Sequence, residues 1–440
     1  MNLIRLEYWM LVTVIGLAGS LFGSKYWSPI NTDQERSRIV KELELRIYDL
    51  ERVDKRRFSA GPINPLCREN MALDALGDGT GAILATRFST LKQAQVAFPH
   101  ARSLSDTIDW AALQSAIDAG PCWVPDNGAS YVINRPLELN GNDTLRGGGG
   151  RRVAKRSPQI IASKGFVGDM VKSTGNNNLF AGLLVDGRKN KTTRGLHHFA
   201  GKEDNLLTIE DCHFRNFGRE AVLIEGGIQH SIRDVFARNS LLSDDYLTKR
   251  RGTLDIGGMD HFVQNVECAA RRGTKSGNSA AIIFRCGVSW IGPGVLGEVS
   301  DLGIVVARSA SNNDFIGCRS DLSQTHGWKV EGPQNRFVSC GAYRNSLSGS
   351  KKYPGFLIDS NLNNLVACYS ASVGGQPVHS CTVEDTASAS GPNRYIGVNK
   401  SAIEPTTFNF SQSHNRTAAL NIDGFIRPEN QMERKRRENR

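Results

Sequence analysis

A four-residue pattern that returns along residues 180–398 constrains the fold of this 440-residue chain more than any other feature. Each copy has a bulky apolar residue, then two mostly small or polar residues, then Cys, Val or Leu. The copies begin at Phe180, Ile209, Ile232, Val263, Phe315, Phe337, Leu365 and Tyr395. Most neighbouring copies lie roughly 22 to 31 residues apart, and a degenerate copy at Ile291 falls in the one double gap. A fixed period of this size is typical of a solenoid, in which each repeat buries its apolar side only against the next.

A second apolar segment precedes most copies of the pattern. These segments begin at Gly195, Ala221, Thr253, Ala280, Leu302, Gly327, Gly355 and Cys381. They are short, rich in β-branched and aromatic residues, and bounded by Gly, Asn and Asp, which is typical of strands and their turns. Two or three strands in a coil of ~25 residues favour a parallel β-helix over a propeller, whose blades take four strands in about 40 residues. We therefore predict an all-β fold, a parallel β-helix solenoid.

Asparagines stand just before the pattern, or at the start of its strand, in many coils. They are Asn178, Asn205, Asn313, Asn335, Asn364 and Asn393. Asn tolerates left-handed backbone and hydrogen-bonds locally. The repetition therefore predicts an asparagine at a corner that the coils share.

The nine cysteines indicate structure rather than chemistry. Four of them, Cys212, Cys318, Cys340 and Cys368, fill the last position of the pattern, where valine stands in other coils. A residue that alternates with valine along a stack is a buried small apolar group. We therefore predict neither a disulfide framework nor a metal site. The sequence also contains no Cys-x-x-Cys, His-Glu-x-x-His or Gly-x-Ser-x-Gly motif.

The first 25 residues are predicted to form a hydrophobic helix. Residues 8–23 carry no charge and lie between Arg5 and Lys25. This length fits an uncleaved signal-anchor, which we favour, or a cleaved signal peptide. The first alternative implies a membrane partner, and both place the β-helix outside the cytoplasm, anchored or secreted. A third alternative is the buried terminus of a soluble assembly.

Residues 26–66 are interpreted as a short helical stalk and linker. Val40, Leu43, Ile47 and Leu50 are spaced three, four and three residues apart, which places them on one helical seam compatible with a homotrimer. Prolines at 62 and 65 end the helix. The remaining predicted boundaries are 67–150 for an N-terminal cap and the first coils, 151–403 for the β-helix, and 404–440 for a tail that is basic and disordered at its end.

A characteristic order of elements begins after residue 108. It consists of a capping helix, a strand that ends in a proline turn, a Tyr-x-Ile strand and a glycine-rich corner. They are Asp109–Asp118 closed by Gly120, Cys122–Pro125, Tyr131–Ile133, Leu137–Leu139 and Leu145–Gly148. This order resembles the start of the pectate-lyase-like right-handed β-helix superfamily, which includes polygalacturonase-like enzymes and phage tailspikes. The resemblance covers about residues 83–400. It implies the fold but leaves lyase, hydrolase, epimerase and non-catalytic binder open.

The catalytic motifs of polygalacturonase-like enzymes are only partly present. Asp244 and Asp245 match the acidic pair of that family, but the His-Gly dipeptide at His326 comes about three coils later. The first and last motifs of the family are missing. His326 also precedes a strand in the way that Pro354 and His379 do, so a turn role is the alternative to catalysis.

The longer loops gather in one phase of the coil, and they are basic. They are Asp186–Arg194, Leu241–Arg251, Arg271–Asn278 and Leu347–Pro354. Loops of one phase stack along one side of a solenoid and often form its binding face. The predicted substrate-binding residues are Asp186, Lys189, Arg194, Arg251, Arg271, Arg272, Lys351 and Lys352. A positive stripe in a chain of net charge +10 suits a linear polyanion, although solvated charged loops are the alternative.

An acidic, uronate-containing polysaccharide is the partner that the resemblance favours. Nucleic acid is not predicted, because residues 1–25 indicate export. The candidate catalytic residues are Asp244, Asp245, Lys249, Arg250, Asp321 and His326. Elimination needs a base beside positive charge, and hydrolysis needs two carboxylates of which one is protonated. No cofactor is predicted, while a bound divalent cation stays open. The alternative function is a non-catalytic glycan-binding or structural β-helix, such as an adhesin or a tailspike-like receptor binder.

Overall fold

The computed structural model describes residues 75–125, 128–148, 157–199, 201, 206–274, 276–372, 379–387, 392–399 and 407–410. The predicted hydrophobic helix at 1–25, the stalk and linker at 26–66 and the end of the predicted tail lie outside these residues. Within the described ranges, no helix is long and apolar enough to cross a membrane.

Parallel strands form three ladders, and a typical coil adds one strand to each ladder in turn. The first ladder contains Cys122–Val124, Thr144–Gly147, Leu179–Ala181, Thr208–Glu210, the first parts of Ser231–Ser240 and Phe262–Ala270, Trp290–Ile291, Asp314–Ile316, Arg336–Val338, Asn364–Val366 and Arg394–Ile396. The second contains Ser130–Ile133, Gln159–Ala162, Leu184–Asp186, His213–Arg215, the second parts of the same two long strands, Leu296–Glu298, Arg319–Asp321, Gly341–Tyr343 and Tyr369–Ala371. The third contains Leu137–Leu139, Gly168–Ser173, Thr193–His198, Val222–Ile224, Arg251–Ile256, Ser279–Phe284, Leu302–Val306, Trp328–Val330, Phe356–Ile358, Val383–Asp385 and Phe408–Phe410. The predicted parallel β-helix is confirmed.

The predicted pattern lies in register along the first ladder. Its leading residues pair from coil to coil in one buried stack, which is Cys122, Leu145, Phe180, Ile209, Ile232, Val263, Ile291, Phe315, Phe337, Leu365 and Tyr395. The third residue of each regular copy has a positive φ, for example 66° at Gly182, 57° at Asp211 and 53° at Ser339. This left-handed residue turns the chain from the first ladder into the second. Small or polar residues recur there because they tolerate that backbone conformation best.

A row of buried polar side chains, which we call the corner ladder, precedes the first ladder. Each side chain accepts a hydrogen bond from a main-chain N–H of the previous coil, at 2.8–3.2 Å. The acceptors are His230, His261, Ser289, Asn313, Asn335, Asn363 and Asn393. Asn364 begins its strand, as predicted, but the buried acceptor at that corner is the preceding residue, Asn363. Asn205 lies outside the described residues.

Eight cysteines lie in the described ranges, and all of them are buried. Cys318 and Cys340 lie at the turn between the first and second ladders. Their thiols donate to the carbonyls of Ile291 and Phe315, each at 3.3 Å. Burial raises the pKa of the Cys212 thiol to about 12, so the group stays protonated. These residues therefore act as small apolar core groups with one weak donor.

In the described part of the chain, two α-helices precede the first strand, α1 at Leu91–Ala97 and α2 at Ile108–Ala119, and short 3-10 helices span Leu84–Thr86 and Asp244–Tyr246. Helix α2, which begins after the N-cap Thr107, packs against the three strands of the first coil. The buried carboxylate of Asp109 accepts hydrogen bonds from the main-chain N–H groups of Leu76 and Val132, both at 2.8 Å. The helix therefore covers the first coil, as the sequence predicts for a cap.

The third ladder continues past residue 403, where the sequence analysis ends the β-helix. Phe408–Phe410 pairs in parallel with Val383–Asp385. The Phe408 ring lies 5.3 Å from the Tyr395 ring, so aromatic packing holds this strand against the preceding coil. Asn399, which pairs in parallel with Tyr369, continues the second ladder in the same coil.

Candidate active site on the second ladder

Outward side chains of the second ladder form two rows along the axis, because residues alternate between the core and the outside along each strand. The row at the strand starts holds Leu184, His213, Phe236, Glu267, Leu296, Arg319, Gly341 and Tyr369. The row at the strand ends holds Asp186, Arg215, Arg238, Ala269, Glu298, Asp321, Tyr343 and Ala371. Each row mixes charged, apolar and aromatic residues, whereas the buried stack of the first ladder holds apolar and aromatic residues throughout. The outer face of the second ladder is therefore free to carry chemistry that differs from coil to coil.

Arg238, Glu267 and Glu298 come from three successive coils and meet on this face. Arg238 Nη2 donates to Glu267 Oε1 at 2.7 Å and to Glu298 Oε1 at 3.3 Å. The Arg238 side chain is 52% exposed, whereas the two glutamate side chains are 20% and 17% exposed. One guanidinium thus holds two half-buried carboxyl groups together at the surface. We call these three residues the carboxylate cluster.

The surroundings of Glu298 favour its protonated form. Burial raises the pKa of Glu298, and repulsion from the Glu267 carboxylate raises it further. Arg238 opposes these effects, and Asp321 adds a smaller repulsion. Because the net shift is upward, Glu298 keeps its proton to a higher pH than an ordinary glutamic acid.

Aromatic rings border the carboxylate cluster. The Arg238 guanidinium lies 4.2 Å from the centroid of the Phe236 ring, and Phe236 packs edge-on against His213 at 4.7 Å. Burial, with Arg215 and Arg238, lowers the pKa of His213 to about 4, so this imidazole is neutral at neutral pH. Its buried Nδ1 contacts no hydrogen-bond partner in the described part of the chain. Apolar rings beside paired carboxyl groups suit a ligand that has both an apolar face and polar edges.

Two predicted site residues, Asp186 and Asp321, lie in the strand-end row but are occupied by ion pairs. Arg344 donates to both oxygens of Asp321, at 3.1 and 2.7 Å. Asp186 accepts from Arg215 Nε at 2.6 Å and from Asn216 Nδ2 at 3.1 Å. These bonds join neighbouring coils and leave little of either carboxylate for a ligand.

The four predicted loops begin at or just after the ends of second-ladder strands and lead into the third ladder, so they border the same outer face. Asp244 and Asp245 are exposed in the second loop. They lie on the 3-10 helix rather than on extended chain, and Asp244 accepts from Arg271 Nη1 at 3.0 Å. The structure therefore pairs Asp244 with a predicted binding arginine rather than with a second carboxylate.

Other predicted cations divide into buried and exposed groups. Arg194 is 3% exposed and donates to Asp169 at 2.7 Å and to Glu220 at 2.9 Å. Arg251 Nη1 lies 3.6 Å from Glu220. The predicted cations whose side chains are exposed are Lys189, Lys249, Arg272, Lys351 and Lys352. The positive stripe is thus narrower than the sequence predicts, because internal carboxylates neutralise some of its arginines.

His326 and Arg250 lie near each other, each just before a strand of the third ladder. Arg250 Nη1 lies 2.8 Å from Glu331, and Lys329 Nζ lies 3.0 Å from the same carboxylate. Burial, with Lys329 and Arg250, lowers the pKa of His326 to about 4. The His326 ring packs edge-on against Tyr353 at 5.1 Å, and its buried Nδ1 has no hydrogen-bond partner among the described residues. The imidazole is therefore neutral at neutral pH and able to accept a proton, but its lowered pKa makes it a weak base.

The carboxylate cluster was missed by the sequence analysis although a signal exists. Counting onward from the last residue of each pattern copy, the first and third positions point outward in the second ladder. Those positions give Phe236 and Arg238 after Val235, and Glu267 after Val266. The repeating pattern does not include these positions, because their residue types change from coil to coil.

In the ranges that the structure describes, no group of three or more His, Cys, Asp or Glu residues is placed to hold a metal ion. The carboxylate cluster instead has arginine as its positive charge. The chemistry available to it is proton transfer and nucleophilic attack by carboxyl groups.

No family model and no curated protein matches this sequence. Solved structures that match include the tailspike protein gp49 of Pseudomonas phage LKA1, with 13% identity, a TM-score of 0.47, and 77% of this chain and 64% of the tailspike covered. The A-module of mannuronan C-5 epimerase AlgE6 of Azotobacter vinelandii matches with 15% identity and a TM-score of 0.49, over 78% of this chain and 99% of the module. An alginate lyase of Paenibacillus sp. str. FPU-7 matches with 14% identity and a TM-score of 0.35, over 68% and 95%.

These matched structures are right-handed parallel β-helix proteins. The three ladders place this chain in the same structural class. The chain spans less than two thirds of the tailspike, and at these identities the likeness concerns the fold alone.

Proposed function

We propose that this protein binds an acidic polysaccharide along the outer face of the second ladder and hydrolyses it at the carboxylate cluster. The observation that carries the proposal is that Arg238 holds Glu267 and Glu298 within reach of one nitrogen, while the pKa of Glu298 is raised. Glycoside hydrolysis requires such a pair, with one carboxylic acid and one carboxylate. The exposed lysines of the adjoining loops supply the attraction for an acidic chain.

The spacing of the pair favours a retaining reaction. Both glutamates contact the same arginine nitrogen, which suits the roughly 5–5.5 Å separation of retaining enzymes better than the roughly 6.5–9.5 Å of inverting ones. In the first step Glu298 gives its proton to the glycosidic oxygen, and Glu267 forms an ester bond to the sugar as that oxygen leaves. In the second step water attacks the sugar, its proton passes to Glu298, and the ester bond to Glu267 breaks.

The first experiment incubates the full chain with a panel of uronate-containing polysaccharides and measures new reducing ends and ultraviolet absorbance. We expect reducing ends without absorbance, because hydrolysis introduces no double bond. E298Q should lower the rate by about 10²–10⁴-fold, the usual contribution of a general acid, and E267Q, which removes the nucleophile, should lower it by at least as much. The matched control is D314N, because Asp314 also pairs with an outward arginine, Arg336, at 2.7 Å but on the first ladder. Equal losses in all three variants would contradict the assignment.

Two other outcomes identify the alternatives. Ultraviolet absorbance that survives E298Q and is lost in H326Q would assign elimination to His326, whose neutral imidazole lies near Arg250 and Lys329. Salt-sensitive binding without any cleavage would favour a glycan-binding protein. Product analysis by NMR tests the finer point, since inverted anomeric configuration would exclude Glu267 as the nucleophile.

The proposal places the β-helix outside the cytoplasm, anchored or secreted, because residues 8–23 are uncharged. A homotrimer is proposed from the heptad spacing of residues 40–50. Fractionation of cells into soluble and membrane material, and the mass of the full chain in solution, test these two points.

A further inference from the structure

A pocket of about 220 Å³ lies on the first ladder near its N-terminal end, away from the carboxylate cluster. Its lining residues are Trp123, Arg146, Gly147, Gly148, Ala181, Gly182, Glu210 and Asp211. Four of them occupy successive outward positions, since Trp123 pairs with Arg146, Arg146 with Ala181, and Ala181 with Glu210. Nothing in the proposed hydrolysis uses this pocket.

Small residues create the space. Ala181 stands between the long side chains of Arg146 and Glu210, so one coil of the row has no side chain beyond Cβ. The neighbouring corner is tight, because a Cβ added to Gly147 would lie 2.5 Å from the carbonyl oxygen of Gly182. Glycine is therefore required at position 147, where the backbone itself lines the pocket.

The pocket walls combine an aromatic ring with charges of both signs. Trp123 is 40% exposed, and the Arg146 guanidinium lies 5.3 Å from the centroid of its ring. Glu210 accepts from Arg233 Nη2 at 3.1 Å. The lining has one arginine and two carboxylates, and Arg233, outside the lining, neutralises Glu210, so the pocket presents no net positive charge to a ligand. It offers an apolar ring face together with donors and acceptors.

We propose that this pocket is a binding site for one neutral sugar ring. The C–H face of a pyranose packs on an indole, and its hydroxyl groups bond to carboxylates and guanidinium groups. The volume is below the roughly 300–1,000 Å³ of pockets that enclose larger ligands, which limits the occupant to one ring, such as a chain end or a branch. The lining has no net positive charge, so it does not favour a uronate over a neutral sugar.

The test measures binding of methyl glycosides of glucose, galactose, mannose and N-acetylglucosamine to the full chain by calorimetry and ligand-observed NMR. We expect at least one of them to bind, and W123A to weaken that binding about tenfold, the effect of one lost aromatic contact. A181L should abolish binding by filling the gap while Trp123 stays in place. The matched control is W290A, because Trp290 is also an outward first-ladder tryptophan but stacks on Phe262 at 4.7 Å.

Binding of none of the four glycosides, equal binding by W123A and the unaltered chain, or equal losses in W123A and W290A would overturn the proposal. Preference for glucuronic acid over glucose would also contradict it. E298Q should bind the neutral sugar normally, so failure of this pocket and failure of the hydrolase proposal are distinguishable.

Discussion

The corner ladder and the outer face of the second ladder both run along the axis of the β-helix, but the first repeats one hydrogen bond and the second does not. In the corner ladder every coil makes the same bond, from a main-chain N–H to a side chain of the next coil. On the outer face the residue type changes at almost every coil. Arginine, glutamate and aromatic residues alternate there without a period.

The difference separates polar groups that hold the fold from polar groups available to a ligand. Asn335 is fully buried, and its amide donates to three carbonyl oxygens, including Gly332 at 3.0 Å. Arg238, by contrast, is 52% exposed and holds two carboxyl groups whose charges repel each other. A buried polar group whose hydrogen bonds are all made stabilises the coil. A surface cluster of like charges with a shifted pKa is typical of a binding or catalytic site.

Replacement of Asn335 by alanine should produce the largest change in stability. The variant leaves the buried N–H of Asn313 and the carbonyl of Ala310 without this partner, at a cost of about 3 kcal/mol in the free energy of unfolding. E298Q, on the outer face, should change that free energy by less than about 0.5 kcal/mol. Urea unfolding of both variants measures the comparison. If N335A and E298Q unfold at the same urea concentration, the two rows do not differ in the way we infer.

The second prediction concerns acid sensitivity of the corner ladder. Burial, with the nearby His230, lowers the pKa of His261 to about 4, while in the unfolded chain it titrates near the usual value of about 6.5. The unfolded chain therefore binds more protons between about pH 6.5 and pH 4, so stability falls as pH falls through that window. H261N should remove this loss, because asparagine accepts the same N–H at the corner in later coils.

Melting temperatures at pH 7 and pH 5 test the second prediction. The unaltered chain should lose more stability on acidification than H261N, and the two should be similar at pH 7. S289N, which makes the same kind of exchange at a corner residue that does not titrate, is the control. An equal acid slope in H261N and the unaltered chain would mean that His261 does not set the sensitivity.

The same contrast explains how far the sequence predicts the structure. The left-handed corner at Gly182, Asp211 and Ser339 is readable because every coil must make it, and the period exposes it. Adjacent Asn363 and Asn364 are both suitable for the corner by residue type. Asn363 is the one that lies two residues before the leading residue of its pattern copy, as Asn335 does. Repetition thus determines the fold to within a residue.

The candidate site is harder to predict from the sequence because its ion pairs join residues of different coils. Arg250 reaches Glu331, 81 residues later, and Arg194 is buried against Glu220. Such ion pairs determine which cations stay exposed, and the local sequence pattern does not predict them. The carboxylate cluster likewise depends on Arg238 reaching Glu298, two coils further on. Sequence composition predicted a positive flank, but the pairing of individual charges required coordinates.

The smallest expected effect is also the most specific test of the outer face. Arg238 lowers the pKa of Glu298 against burial and the Glu267 charge, so R238A should let that pKa rise further. If Glu298 is the general acid, activity is lost as pH rises through its pKa, and the alkaline limb of the kcat profile should move to higher pH in R238A. R336A, which removes a paired arginine of the first ladder, should leave the limb in place. A limb that moves to lower pH in R238A, or moves equally in R336A, would show that Arg238 does not tune an acid at this site.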